Sequence, residues 1–303
     1  MTEQVTRAGR CAIIGRPNVG KSTLLNAFVG QDLAICAALP GTTRNRFLGV
    51  AMRSDPPTQL AFVDTPGLTK PRSSLGKVLE AEARAGIDDA DVILMVTDVG
   101  RGKVPSIPKE EEHVLTALAE RQEPIVLAVN KLDTVRDKHR LLPLLDAYLK
   151  RLPFQEIIPI SATQRIQLDV LFLALAKHLP EGKLYADDFL TDRPERFLVA
   201  ERIRLAVIDH TRQEVPHGAA VQIDQYTEEG NLVRIGATIV VDKESHKGIV
   251  IGARGARLKA IGTQARIDIE KLVERRVYLE LFVKATPGWT ENPVQAADLA
   301  GVS

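Results

Sequence analysis

Between residues 9 and about 180, short apolar runs alternate with amphipathic segments. The apolar runs near 10–14, 47–52, 59–63, 91–97, 124–129 and 157–160 predict buried strands. The segments near 21–29, 75–88, 109–121, 138–150 and 167–178 predict helices. Strand and helix in alternation predict an α/β fold, a mostly parallel sheet with helices on both faces. Leu179 to Pro194, with its prolines, glycine and charges, breaks that rhythm. Arg196 to Arg212 is then helical in period, Ala219–Tyr226 and Leu232–Val241 alternate around the pivot Glu229-Gly230-Asn231, and a Gly-rich segment follows. A helix near 263–276 and a strand over 277–284 complete an α-β-β-α-α-β order, a small α+β domain. The boundaries expected are 1–180 for the first domain, 181–195 for a linker, 196–286 for the second domain and 287–303 for a tail with little pattern.

Four motifs in the first domain carry chemistry. Gly15-Arg16-Pro17-Asn18-Val19-Gly20-Lys21-Ser22, between a strand and the helix opening at Thr23, matches the P-loop pattern. Its backbone N–H groups and the following helix N-terminus suit phosphate, Lys21 the β- and γ-phosphates, and the Ser22 hydroxyl Mg²⁺. Asp64-Thr65-Pro66-Gly67 ends a strand at the edge where α/β sheets bind ligands. Asp64 is the candidate Mg²⁺ carboxylate, and Gly67 can bring its N–H to the γ-phosphate. Asn130-Lys131-Leu132-Asp133 follows another buried run. A carboxylate at Asp133 can accept from both guanine N–H donors, which adenine does not present, so it would select GTP over ATP. Lys131 is expected along the base, and Ser161-Ala162 to place a backbone N–H on the guanine oxygen. Between the first two motifs, Thr43, with Thr42 as the alternative, is the candidate switch threonine that completes the Mg²⁺ shell.

The second domain holds Gly252-Ala253-Arg254-Gly255. From Ser245 to Arg266 there are five basic residues (Lys247, Arg254, Arg257, Lys259, Arg266) and no Asp or Glu. A G-x-x-G loop in an α-β-β-α-α-β frame is how KH domains clamp single-stranded RNA. Lys247, Arg254, Arg257 and Lys259 would meet phosphates, while Ile249 and Ile251, with Ile261, would floor the base groove. A solvated basic helix face is the competing reading.

Composition narrows the classes. A net charge of +1 over 303 residues means that any nucleic-acid site comes from local clustering. Two cysteines fit a reducing compartment rather than a disulfide scaffold. No metal-ligand spacing, hydrolase triad, signal peptide or membrane-length apolar run is present, and the cytoplasm is the expected location.

Together GRPNVGKSTLLN, GTTR, DTPG, NKLD, SA, TDRPERFLVAE, IVIGARGARLKAIG and LELFVK resemble the Era family of bacterial GTPases, whose second domain is a type II KH fold. The resemblance covers nearly the whole chain. It implies a P-loop GTPase domain followed by a KH domain, with Mg²⁺ and GTP or GDP as ligands. It also implies a monomer that binds the 3′ region of small-subunit (16S) ribosomal RNA, assists maturation of the 30S subunit, and is a candidate for peripheral contact with the inner membrane. Leu68 stands where Ras-like enzymes carry a water-positioning glutamine, so unaided hydrolysis is expected to be slow. Relatives with P-N-V-G-K-S use the asparagine to hold K⁺, which makes Asn18 a catalytic candidate beside Lys21, Thr43 and Gly67. A nucleotide-stabilised RNA anchor and a GTP-gated regulator of a protein partner at the membrane are the alternative functions.

Overall fold

The computed structural model describes residues 6–37, 39, 42–71, 73–100, 106–211 and 215–301. The chain forms two compact units: one of residues 1–34, 43–71 and 79–192, the other of 35–42, 72–78 and 193–303.

The first unit is built on a six-stranded sheet. Its strands are β1 (Arg7–Ile14), β2 (Phe47–Ser54), β3 (Pro57–Asp64), β4 (Val92–Asp98), β5 (Ile125–Asn130) and β6 (Glu156–Pro159), in the order β2-β3-β1-β4-β5-β6. Only β2 runs antiparallel, paired with β3 from Phe47 opposite Asp64 to Ser54 opposite Pro57. β4 and β5 are buried at every position, as strands covered on both faces must be. The helices are α1 (Lys21–Val29), α2 (Ser74–Asp88), α3 (Glu112–Ala119), α4 (Leu142–Leu149) and α5 (Leu168–Ala176).

Ala12, Ile14, Ile93, Met95, Leu127 and Val129 face one side of the sheet and share a core with Val114, Leu115 and Leu118 of α3 and Leu144 and Tyr148 of α4. α1 and α5 pack on the sheet, where Phe28 stacks on Phe62 at 4.6 Å between ring centroids. Single 3₁₀ turns, Lys109–Glu111 and Lys138–Leu141, precede α3 and α4, so both helices are shorter than their apolar periods suggested.

All the parallel connections leave the C-terminal ends of strands at one edge of the sheet. The P-loop follows β1, Asp64 closes β3, Asn130 closes β5, and Ser161 lies just beyond β6. The candidate nucleotide residues therefore converge there, although they span almost 150 positions of sequence.

Residues 181–192, read from the sequence as part of a linker, are held along the first unit. Glu181 bridges to Arg7 and Thr191 to Gly49, and the Gln59 side chain bonds the backbone at Leu184 and Tyr185. Backbone hydrogen bonds of this kind leave no periodic trace in the sequence.

In the second unit α6 (Glu195–His210) is followed by β7 (Ala219–Glu229), β8 (Leu232–Val241), α7 (Glu244–Ile251), α8 (Ala256–Val273), β9 (Arg276–Ala285) and α9 (Pro293–Ala300). β7 and β8 pair antiparallel, β8 and β9 parallel, in the order β7-β8-β9. Val199, Ile203 and Val207 of α6 join Ile261, Ala265 and Ile269 of α8 over the sheet in one core.

α8 begins at Ala256, seven residues before the expected Thr263. Gly262 lies inside the helix facing β9, where an added Cβ would sit in ordinary contact with Leu281 Cδ1 at 3.4 Å. The expected tail is also structured. Trp289 is fully buried with its indole N–H on the Gly218 carbonyl at 3.1 Å, and α9 starts at the Asn292 cap, whose side chain accepts from the Val294 and Gln295 N–H groups. Small residues at Ala296, Ala297 and Ala300 give that helix too weak a period to be seen in sequence.

Candidate functional site

The P-loop turns tightly between β1 and α1. Gly15 (φ 157°) and Gly20 (φ 99°) take conformations that side chains resist. A Cβ at Gly15 would lie 2.2 Å from the Val96 carbonyl oxygen, and one at Gly20 would lie 2.4 Å from Asn130 Nδ2. Lys21 is buried, and its ammonium donates to the carbonyls of Gly15 (3.1 Å) and Arg16 (3.3 Å). Burial pulls its pKa down to about 8, with Asp64 opposing and Arg16 adding to the shift.

Ser22, Thr43 and Asp64 form a tight cluster. Ser22 Oγ donates to Asp64 Oδ2 at 2.6 Å and lies 3.0 Å from Thr43 Oγ1, which is itself 3.5 Å from Asp64 Oδ2. Asp64 is fully buried, and its Oδ1 has no hydrogen-bond partner. Burial raises the Asp64 pKa, with Lys21, Ser22 and Thr43 opposing. An orphaned carboxylate oxygen beside two hydroxyls is a hard oxygen donor set, which fits Mg²⁺. Thr42 instead turns its hydroxyl onto the Leu39 carbonyl at 2.8 Å, so the structure separates the two candidate threonines. Pro40 and Gly41 lie outside the described residues.

Thr65 is not directed into this cluster, because its buried hydroxyl donates to the Ile13 carbonyl at 2.9 Å. A Cβ at Gly67 would lie 2.8 Å from Pro17, so the backbone there runs against the P-loop with no room for a side chain. Leu68 is fully buried in the core of the first unit.

Asn130 joins three motifs. Its Nδ2 donates to the Val19 carbonyl at 2.8 Å, and its Oδ1 accepts from the Lys131 N–H (2.8 Å) and the Ala162 N–H (3.0 Å). With donor and acceptor both engaged, Asn130 holds the loops rather than reading the base. Asp133 is exposed, and its carboxylate accepts from the Ser161 hydroxyl. The Lys131 ammonium donates to Asp98 Oδ2 at 2.7 Å and to the Asn18 carbonyl at 2.8 Å, which leaves its stem free to lie along a base. Asn18 itself is exposed and in the left-handed region (φ 64°).

The second unit presents Gly252–Gly255 between α7 and α8. Gly252 has φ 71° with a Cβ position 2.7 Å from Arg257 Cβ, Arg254 is left-handed (φ 50°), and Gly255 has φ 77°. Arg254 and Lys259 are exposed at the start of α8, and Arg257 donates to the Ile249 carbonyl. Lys247 sits in α7, 3.7 Å from Glu244. Ile249 is 41% exposed and Ile251 half-buried, whereas Ile261 is fully buried in the core and is unavailable to a base. The α8 period places Ile261 inward, which the late helix start assumed from sequence had hidden.

Residues 10–131 match the family model described as 50S ribosome-binding GTPase, and residues 214–290 match the KH domain model. GTPase Era of Geobacter metallireducens is 43% identical over 295 residues, covering 96% of this chain and 97% of the relative. GTPase Era of Syntrophus aciditrophicus is 44% identical over 290 residues, covering 95% and 92% respectively. The chain belongs to the Era family of GTPases. A crystal structure of Era in complex with MgGDPNP and nucleotides 1506–1542 of 16S ribosomal RNA is 39% identical, with a TM-score of 0.92 and coverage of 98% of this chain and 99% of that one. An Aquifex aeolicus Era variant bound to GDP and AlF₄⁻ is also 39% identical, with a TM-score of 0.91 and the same coverage.

In this Era family member the sequence motifs left out a group of buried polar residues behind the P-loop. Thr97, Asp98, Glu111 and Tyr148 lie within hydrogen-bond reach of Arg16, Lys131 or one another. Only Asp98 had a signal, a carboxylate closing a strand at the ligand edge of the sheet.

Proposed function

We propose that the chain binds GTP with Mg²⁺ and hydrolyses it, and that its KH unit binds the 3′ region of small-subunit ribosomal RNA and assists maturation of the 30S subunit. The observation that carries the GTP reading is the Ser22–Thr43–Asp64 cluster with its unpartnered buried carboxylate oxygen, at the sheet edge where the P-loop and Asp133 also lie. Bound there, Mg²⁺ would neutralise charge on the β- and γ-phosphates. Ser22 and Thr43 would hold it, with Asp64 behind them.

The chain's own groups account for the rest. Lys21 supplies positive charge and a donor to the phosphates, the P-loop and Gly67 supply backbone N–H groups, and Asp133 selects guanine. The Gly252–Gly255 loop takes the RNA backbone, and Arg254 adds charge-assisted hydrogen bonds. Its exposed isoleucine, Ile249, offers apolar contact to a base. That Era is solved with 16S ribosomal RNA and MgGDPNP supports both halves of the reading.

Asn18 is the candidate K⁺ ligand in place of a water-positioning glutamine. Equal GTP turnover in Na⁺ and K⁺ buffers would remove that role. Among the described residues no helix is long and apolar enough to cross a membrane.

The deciding experiment titrates a short single-stranded RNA copying the 3′ end of small-subunit ribosomal RNA into protein held with a non-hydrolysable GTP analogue, then with GDP. Tighter binding with the analogue is expected. Equal binding in the two states discards the switch, and absence of binding in both discards the RNA reading.

A further inference from the structure

Glu111 is fully buried at the end of the 3₁₀ turn before α3, in a segment that none of the nucleotide motifs covers. A carboxylate is rarely taken out of water without a partner, and this one is fully engaged. Its Oε1 accepts from Arg16 Nε at 3.0 Å and from the Thr97 hydroxyl at 2.5 Å, and its Oε2 accepts from the Tyr148 hydroxyl. Tyr148 is itself buried, and burial beside Glu111 pushes its phenol far above the ordinary range, so it remains a donor.

Arg16 is the second residue of the P-loop. While Nε points at Glu111, Nη2 donates to Asp98 Oδ1. Asp98 Oδ2 accepts from the Lys131 ammonium at 2.7 Å, and that ammonium also donates to the Asn18 carbonyl at 2.8 Å. Burial alone would raise the Asp98 pKa, but Lys131 and Arg16 hold it below the usual carboxylate range. An unbroken run of charge-assisted contacts thus starts at a fixed buried anchor and ends on the P-loop backbone.

We propose that Glu111 is a positioning residue for nucleotide binding: it fixes the Arg16 guanidinium, which sets Asp98 and Lys131 and so holds the P-loop and the guanine-side loop in register. Arg16 makes its double contact through two nitrogens of one planar fork, Nε to Glu111 and Nη2 to Asp98, a geometry that a single ammonium nitrogen does not reproduce. The inference rests on the GTP-binding reading of the same site. Because the network joins the P-loop to the guanine-side loop, its loss should weaken GTP and GDP alike.

The test compares wild type, Glu111→Gln, Arg16→Gln, their double variant and Tyr148→Phe in the full chain. Affinities for GDP and a GTP analogue are read by fluorescent-nucleotide titration, with thermal unfolding alongside. Glu111→Gln and Arg16→Gln should each weaken both nucleotides about tenfold. The double variant should be no weaker than either single one, since both remove the same contact. Tyr148→Phe keeps the Arg16–Glu111 contact and should lower the unfolding temperature without the loss of affinity.

Unchanged affinity in Glu111→Gln, or equal affinity loss in Tyr148→Phe, overturns the proposal in favour of a purely structural role. If Glu111→Gln does not fold, Arg16→Gln reads the same contact from its partly exposed end, and unchanged affinity there overturns it as well. Failure of the wild type to bind nucleotide would instead sink the GTP reading itself.

Discussion

Ser22 Oγ sits 2.6 Å from Asp64 Oδ2, while the buried Asp64 Oδ1 has no hydrogen-bond partner among the described residues. This half-satisfied carboxylate offers an oxygen that a divalent cation would engage. It follows that function and stability oppose each other at Asp64.

Asp64→Asn should therefore stabilise the nucleotide-free protein at neutral pH. The sign follows from linkage. Burial raises the folded pKa above the unfolded one, so folding costs free energy wherever the carboxyl must be charged, which is above the raised pKa. Removing the charge lifts that cost, on the order of 1 kcal/mol or ~2–4 °C in the melting of the first unit. Scanning calorimetry checks the rise, and titration with and without Mg²⁺ should show that magnesium no longer strengthens nucleotide binding. A variant that melts lower and still responds to Mg²⁺ contradicts the assignment.

Nucleotide affinity should fall as pH rises above about 8. Burial holds Lys21 at about 8 in the free protein, and phosphate binding favours its charged form, so the complex takes up a proton there. Affinity is then flat below that pH and declines above it, toward the raised pKa of the bound state. Isothermal titration between pH 7 and 10 measures the slope, and a flat profile in a Lys21→Met control would tie it to this residue.

Replacing Asp133 with Asn should weaken GTP roughly tenfold to a hundredfold, the cost of losing charged acceptors for the base N–H groups. It should also shift preference toward xanthine nucleotides, whose edge an amide can match. The Ser161 hydroxyl retains an acceptor in the variant, so the loop is expected to stay folded. Competition binding with GTP and XTP measures the exchange in preference.

On the RNA side, Arg254→Glu should abolish binding of the ribosomal 3′-end RNA and leave GDP affinity intact. Gly252→Ala should weaken RNA binding more than Gly255→Ala does. Both residues have positive φ, but only at Gly252 would the new Cβ meet a neighbour, Arg257 Cβ at 2.7 Å. Electrophoretic mobility shifts over a salt series would rank the three, and equal RNA affinity in all of them would remove the loop from the interface.

The sequence by itself determined which residues are candidates for the nucleotide site. P-loop, DTPG, NKLD and SA are contiguous motifs, so Lys21, Ser22, Asp64 and Asp133 could be named as candidates without coordinates. The G-x-x-G loop and its basic neighbours were legible for the same reason, and the period of the buried strands gave the α/β frame. Tertiary structure decided what depends on residues distant in sequence. It turned Thr43 rather than Thr42 toward Ser22, made Asn130 a staple among three loops, drew Ile261 into the core, and anchored Arg16 on Glu111, 95 positions away. A hydrogen bond across that distance leaves no period and no motif, because the chain between its ends is free to carry any sequence that folds.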